Sequence, residues 1–292
     1  MMWPRLFLLC LTLSGVSCQH KFSGSESETL RDDAILRSRR AASMAVWKDK
    51  TIKGVTPSAY AALVTALVLP PQANVKLGQT KVAGNPTKLV IKAKGKDLSA
   101  GSAVPVTGDG YFLTAAHTTD YFSHVMLGVP LKSKTFGLAR ARVVWRSAPA
   151  GEGPDFALLH APLAPFAPVS MTGLDALRIG LPVLSCGYSG KSPGPAGGRI
   201  LSLSQLESDA SGARWRWIGH SAPVNNGDSG GPVIGSDGQL LGITTSINYR
   251  FVLPFGINRH WRYQGVAVAP DPDWIQSLIY QDRARRKSKR PT

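Results

Sequence analysis

Short apolar runs separated by Gly, Pro and Ser dominate the chain from Lys88 onward: Leu89 to Ala93, Ala103 to Thr107, Tyr111 to Ala116, Val125 to Val129, Ala141 to Trp145 and Phe156 to His160. A second set follows: Val183 to Tyr188, Ile200 to Leu203, Trp215 to Ile218, Val233, Leu240 to Thr245 and Gly265 to Ala269. Brief apolar segments bounded by turn residues predict short strands, and two sets of them predict an all-β pair of barrels. One stretch has a different period. After Thr56-Pro57, residues Tyr60, Leu63, Val64, Leu67 and Val68 recur on one helical face up to Pro70-Pro71. This predicts a helix packed on the barrels.

The two ends of the chain are polar or basic. Met1 to Cys18 holds one arginine, Arg5, then an apolar stretch from Leu6 to Leu13 and small residues at Gly15 and Ser17. That pattern predicts a secretory signal, too short for a stable membrane-spanning helix. Two processing routes stay open: cleavage that leaves Cys18 first, with a lipid anchor as in bacterial lipoproteins, or ordinary cleavage nearby. Residues 19–55 are expected to be a polar tether or propeptide, with a possible cut at Arg39-Arg40. Either way, the protein is expected across the inner membrane, in the periplasm or attached to the envelope, or outside the cell. Residues 187–198 (GYSGKSPGPAGG) form a surface loop, and they lack the strand-loop-helix setting of a phosphate-binding loop.

The net charge of +16, with RARRKSKR at 283–290, suits anionic surfaces. Residues 281–292 are nevertheless expected to be a solvated basic tail. No aromatic residues are interleaved for base stacking, so no specific nucleic acid is expected. Of the three cysteines, only Cys186 lies in the body of the chain, which leaves no disulfide framework; a buried structural thiol is expected there.

The chemistry concentrates in Gly227-Asp-Ser-Gly-Gly-Pro232. A serine hydroxyl needs an adjacent base and donors aimed at the developing oxyanion. Flanking glycines allow unusual backbone angles and close approach, which leaves the N–H groups of Gly227 and Ser229 free to donate. Upstream, the apolar run Tyr111 to Ala116 delivers His117, and Pro154-Asp155 precedes another apolar strand. The order is His, Asp, Ser, with separations of 155 − 117 = 38 and 229 − 155 = 74 residues.

The segments Thr114-Ala-Ala-His117, Asp155-Phe-Ala-Leu158 and Gly227-Asp-Ser-Gly-Gly-Pro232 resemble the signatures of chymotrypsin-like serine peptidases. The stretch Ser229-Gly-Gly-Pro-Val-Ile followed by Leu241-Gly-Ile-Thr-Thr-Ser-Ile247 resembles HtrA-type catalytic domains. With no Cys directly after His117, the resemblance is to bacterial trypsin-like enzymes, over residues 85 to 280. It implies two packed six-stranded β-barrels with the active site in the cleft between them, and a short N-terminal and a C-terminal helix around Trp274. It also implies a triad of His117, Asp155 and Ser229, an oxyanion hole at Gly227 and Ser229, and a substrate-pairing strand at Thr244, Thr245 and Ser246. Pro223, six residues before the nucleophile, and Asn226 fall at the primary pocket. Nothing acidic lines that segment, so a small or aliphatic preference is expected. His220 is read as a structural residue, with a pocket for acidic side chains as the alternative.

HtrA enzymes append a PDZ domain. The 292 − 229 = 63 residues after Ser229 are mostly needed to finish the second barrel, so regulation by such a domain is not expected. The expected activity is that of a secreted or envelope serine endopeptidase acting on proteins or peptides, with no cofactor and no metal. The alternative is a non-catalytic binding protein of the same fold that holds an anionic partner on its basic surface.

Overall fold

The computed structural model describes residues 36–71, 74–82, 85–94, 100–119, 122–131, 136–148, 153–189, 193–252 and 260–288. The expected signal and the possible lipid anchor at Cys18 lie outside the described residues, as do 190–192 of the expected loop at 187–198, whose last three residues open a strand.

Helix α1 (36–43) runs into a 3₁₀ turn, Met44–Trp47. Helix α2 (Pro57–Leu63) starts as its sequence dictates, with Pro57 in the first turn and the Thr56 side chain accepting from the Ala59 N–H. Its end does not follow the helical period. Ala66–Leu69 is strand β1, whose Leu67 pairs with Ser102 on one side and Gly128 on the other. The expected helix up to Pro70 is therefore corrected to one ending at Leu63. Short apolar runs fit either period, and pairing on both edges decides for the strand. A hairpin then follows, β2 (Asn74–Val82) and β3 (Asn85–Lys94), which forms a two-stranded sheet of its own.

The first barrel continues with β4 (Gly101–Pro105), β5 (Tyr111–Thr114), β6 (His124–Pro130), β7 (Phe136–Arg146) and β8 (Ala157–His160). It closes in the order β1-β4-β5-β8-β7-β6. The second barrel holds β9 (Pro182–Ser185), β10 (Ala196–Leu203), β11 (Glu207–Ser208), β12 (Arg214–His220), β13 (Pro232–Ile234), β14 (Leu240–Val252) and β15 (His260–Pro270). Its order is β10-β9-β13-β14-β15-β12, with β12 pairing back onto β10 to close six strands and β11 added at the edge of β12. The expected double barrel is the observed fold.

Burial explains why β5 reads as a continuous apolar run. Phe112 points into the first barrel with Ala66, Val68, Val125 and Leu127, whereas Tyr111 and Leu113 face a larger core shared with the second barrel. That shared core holds Leu158, Leu184, Ile243 and Val268, and helix α3 (Pro272–Ser288) adds Ile275 and Ile279 to it. Trp274 on α3 stacks edge-on against Trp145, with ring centres 4.7 Å apart. Helix α3 carries the chain to Ser288, so Arg283 to Lys287 of the expected basic tail are helical. Two of these arginines are engaged: Arg283 pairs with Asp109 at 2.7 Å, and Arg286 donates to the Tyr111 hydroxyl at 3.0 Å. Among the described residues no helix is long and apolar enough to cross a membrane.

Candidate active site

Strand β5 ends at Thr114, and the next turn, a 3₁₀ segment Ala116–Thr119, carries His117. Hydroxyls hold this turn. The Thr118 Oγ1 donates to the Ala115 carbonyl at 2.8 Å, and the Thr119 Oγ1 donates to the Ala116 carbonyl at 2.7 Å. Thr118 also packs its methyl over Gly101, where a Cβ would lie 2.7 Å away. A threonine thus fills the position at which a cysteine was absent from the pattern.

Asp155 stands just ahead of β8, anchored by the fully buried Phe156. Its two oxygens grip the same residue. One lies 2.7 Å from the His117 Nδ1, and the other accepts from the His117 backbone N–H at 3.0 Å. With Nδ1 as the donor, the ring's tautomer is set and Nε2 is left as the acceptor. His117 keeps 30% of its side chain exposed and Asp155 17%, so the pair opens onto a surface.

Ser229 comes from the loop between β12 and β13. Gly227 has φ +93° and Gly230 has φ +82°, a region that favours glycine. Space forbids a side chain at both positions as well: a Cβ on Gly230 would lie 2.0 Å from the Ser102 carbonyl oxygen, and one on Gly227 would lie 2.4 Å from that of Tyr188. The loop docks on the first barrel. The Ser102 N–H donates to the Ser229 carbonyl at 2.7 Å, and the Ser102 hydroxyl donates to that of Gly227 at 2.8 Å. Because Ser102 and Thr114 sit on paired strands, and the Thr114 hydroxyl donates to the Ser102 carbonyl, the serine loop seats beside the turn that carries His117. The N–H groups of Asp228, Gly230 and Gly231 are used by the carbonyls of Asn225, Thr244 and Asp228. Among the described residues, no backbone carbonyl accepts from the N–H of Gly227 or Ser229.

A bulge in β14 shapes the other wall. Thr244 pairs with Ala267 and Ser246 with Val266, so Thr245 is the extra residue, and its carbonyl turns toward the Ser229 hydroxyl at 3.4 Å. Thr244 and Thr245 are buried, and Thr244 exchanges backbone bonds with Gly230 and Gly231. Pro223, Asn226 and Ser246 are half-buried around the loop.

Three buried titratable groups surround this framework. Burial pushes the Cys186 thiol up to about 12, which fits an inert core thiol. Burial pushes His220 down to about 4; it is wholly buried, and among the described residues neither ring nitrogen has a hydrogen-bond partner. Asp228, directly before the serine, is 1% exposed; burial pushes its carboxyl up to about 6 even though the Arg40 guanidinium pulls the other way. The Arg40 side chain from α1 donates to Asp228 Oδ2. Neither the buried Asp228 nor its partner was legible as a site feature; in the sequence, Arg40 falls in the expected tether or propeptide.

Residues 101–243 match the family model of the trypsin-like peptidase domain. Together with the two closed barrels, this match gives the trypsin-like double-barrel fold. Proteins of the HtrA type are among those the chain is similar to. The serine protease HTRA1A of Danio rerio is 30% identical over 162 residues, covering 54% of this chain and 32% of that protein. The chain thus spans about a third of the length of the curated relative it matches. The solved structure of the HtrA-type protease AlgW with a decapeptide aligns with a TM-score of 0.52 at 19% identity, over 77% of this chain and 66% of that one. A tripeptide complex of AlgW aligns at 0.48 and 23% identity, over 73% and 58%. Since the curated relative is a fish protein, the resemblance extends beyond bacterial enzymes.

Proposed function

We propose that the protein is a serine endopeptidase whose catalytic residues are His117, Asp155 and Ser229. The observation that carries this reading is the double grip of Asp155 on His117, at 2.7 and 3.0 Å, beside a docked serine loop. His117 Nε2 takes the proton of the Ser229 hydroxyl as Oγ attacks the peptide carbonyl, then delivers it to the leaving amine. Asp155 holds the ring and stabilises the imidazolium without itself taking the proton. The N–H groups of Gly227 and Ser229 receive the oxyanion. Water then attacks the acyl-enzyme with His117 as base, which frees the carboxylate product and restores the serine.

The substrate is a protein or peptide, a class that the AlgW decapeptide complex supports. An extended substrate would pair with β14 near Thr244, Thr245 and Ser246, with Pro223 and Asn226 at the primary pocket. The apolar leader at Leu6 to Leu13 supports an envelope or secreted location, with Cys18 as the possible lipid attachment. The basic side chains at 283–290 would add an attraction to anionic envelope surfaces.

The test is labelling of the purified protein by a fluorophosphonate probe, with Ser229→Ala and His117→Ala as controls. Labelling of the wild type alone supports the reading. Absence of labelling in a folded wild type would refute it and leave a binding protein of the same fold.

A further inference from the structure

Asp228 is the acid whose charge is hardest to accommodate in this fold. It is 1% exposed, it precedes the reactive serine by one residue, and the backbone packs closely against it: a Cβ on Gly187 would lie 2.4 Å from its Cα. A carboxylate buried this deeply must be paired or neutralised. One of its oxygens accepts from the Asn225 N–H at 2.8 Å, within the serine loop itself, and from Arg40, which lies outside the segment that matches the peptidase family.

Arg40 is itself held in place. Its side chain is 9% exposed, and a Cβ on Gly194 would overlap its guanidinium. The Ser43 hydroxyl donates to the Arg40 carbonyl at 2.7 Å and accepts from the Gly197 N–H of β10 at 3.0 Å. Trp47, at the end of the same segment, is 1% exposed and lies where a Cβ on Gly197 would have to be, with Cδ1 only 2.7 Å from that position. The segment 40–47 is therefore fitted into the second barrel, with its one buried cation aimed at the acid beside the serine.

We propose that Arg40 is a positioning residue for catalysis: by neutralising Asp228 it fixes the loop 225–231, and with it the Ser229 hydroxyl and the two N–H groups that receive the oxyanion. The N-terminal segment is then a built-in activating element of the peptidase domain. This rests on the endopeptidase reading above.

The test compares fluorophosphonate labelling rates of the wild type, Arg40→Met, and Arg40→Met combined with Asp228→Asn, with near-ultraviolet circular dichroism on each. Arg40→Met leaves a buried carboxylate unpaired, and the expected labelling rate falls about 100-fold. The added Asp228→Asn removes the charge, and the rate is expected to return to within about tenfold of the wild type. A role confined to anchoring the N-terminal segment would not be rescued this way, because the anchor is still missing. A labelling rate within about twofold of wild type in Arg40→Met overturns the inference. So does a folded double variant that labels as slowly as the single one, and so does loss of tertiary structure in both variants, since Arg40 would then serve the fold. An unlabelled wild type refutes the endopeptidase reading itself, a separate outcome.

Discussion

Helices α1 and α3, which flank the barrels, are each clamped to them by an arginine and a buried aspartate, yet the two clamps face different chemistry. At the first, Arg40 reaches Asp228, one residue from Ser229. At the second, Arg142 of β7 bonds Asp282 of α3 at 2.8 Å, and Asp282 also accepts from the Tyr111 hydroxyl at 2.9 Å. The partners differ in what else they can reach. Arg142 is 39% exposed and has water available, whereas Arg40 and Asp228 are both sealed. The same type of pair therefore secures a helix in one place and bears on a reactive loop in the other. Its worth depends on the neighbours left behind when it is broken.

The largest effect should come from the candidate catalytic residues themselves. Asp155→Asn keeps the shape but removes the acceptor that sets the His117 tautomer, and kcat on a peptide substrate should fall by about 10⁴-fold. A loss smaller than tenfold would remove Asp155 from the catalytic set. Next comes the Arg40→Met loss in labelling rate described above, which should exceed any effect of a C-terminal variant on that rate.

His220 supplies a contrast, a buried group with no hydrogen-bond partner among the described residues. Its pKa is lowered from 6.5 to about 4 by burial, so the protonated form is the one the fold disfavours. The stability it contributes is present in full above pH 6.5 and is lost as the pH falls from 6.5 through about 4. His220→Leu should flatten this part of the acid limb, worth roughly 3 kcal/mol, when urea midpoints at neutral and acid pH are compared.

Asp282→Ala should cost about 1–3 kcal/mol in urea unfolding, because Tyr111 loses a buried acceptor, while the labelling rate of the folded protein stays at the wild-type value. A drop in that rate would erase the distinction between the two clamps. The smallest effect belongs to the exposed pair of Arg283 with Asp109, where Arg283→Gln should change stability by less than about 1 kcal/mol.

The strands were legible because each buried apolar run is short and punctuated. The motifs at Ala115-Ala-His117, Asp155 and Gly227 to Gly231 were legible because each carries its own local geometry, a strand end or a glycine-shaped turn. Strand β1 was not. The sequence at 64–69 satisfies a helical stripe as well as a strand, and only the edges of β4 and β6 settle the choice. The strand Asn74–Val82 was also missed, since its alternation is weak and it pairs only with its neighbour β3. The segment around Arg40 read as a tether, because nothing local distinguishes a basic residue bound for solvent from one bound for a buried acid.

The sequence by itself determined the all-β architecture, the order of the candidate catalytic residues and the glycine turn that presents Ser229, because each depends on interactions between near neighbours in the chain. The tertiary structure alone decided how the second barrel closes, that Thr245 bulges toward the serine, and that Arg40 meets Asp228 across 188 positions. The physical reason is that a buried charge or an unpaired strand edge takes its partner from whatever the fold brings near, and sequence distance carries no record of that.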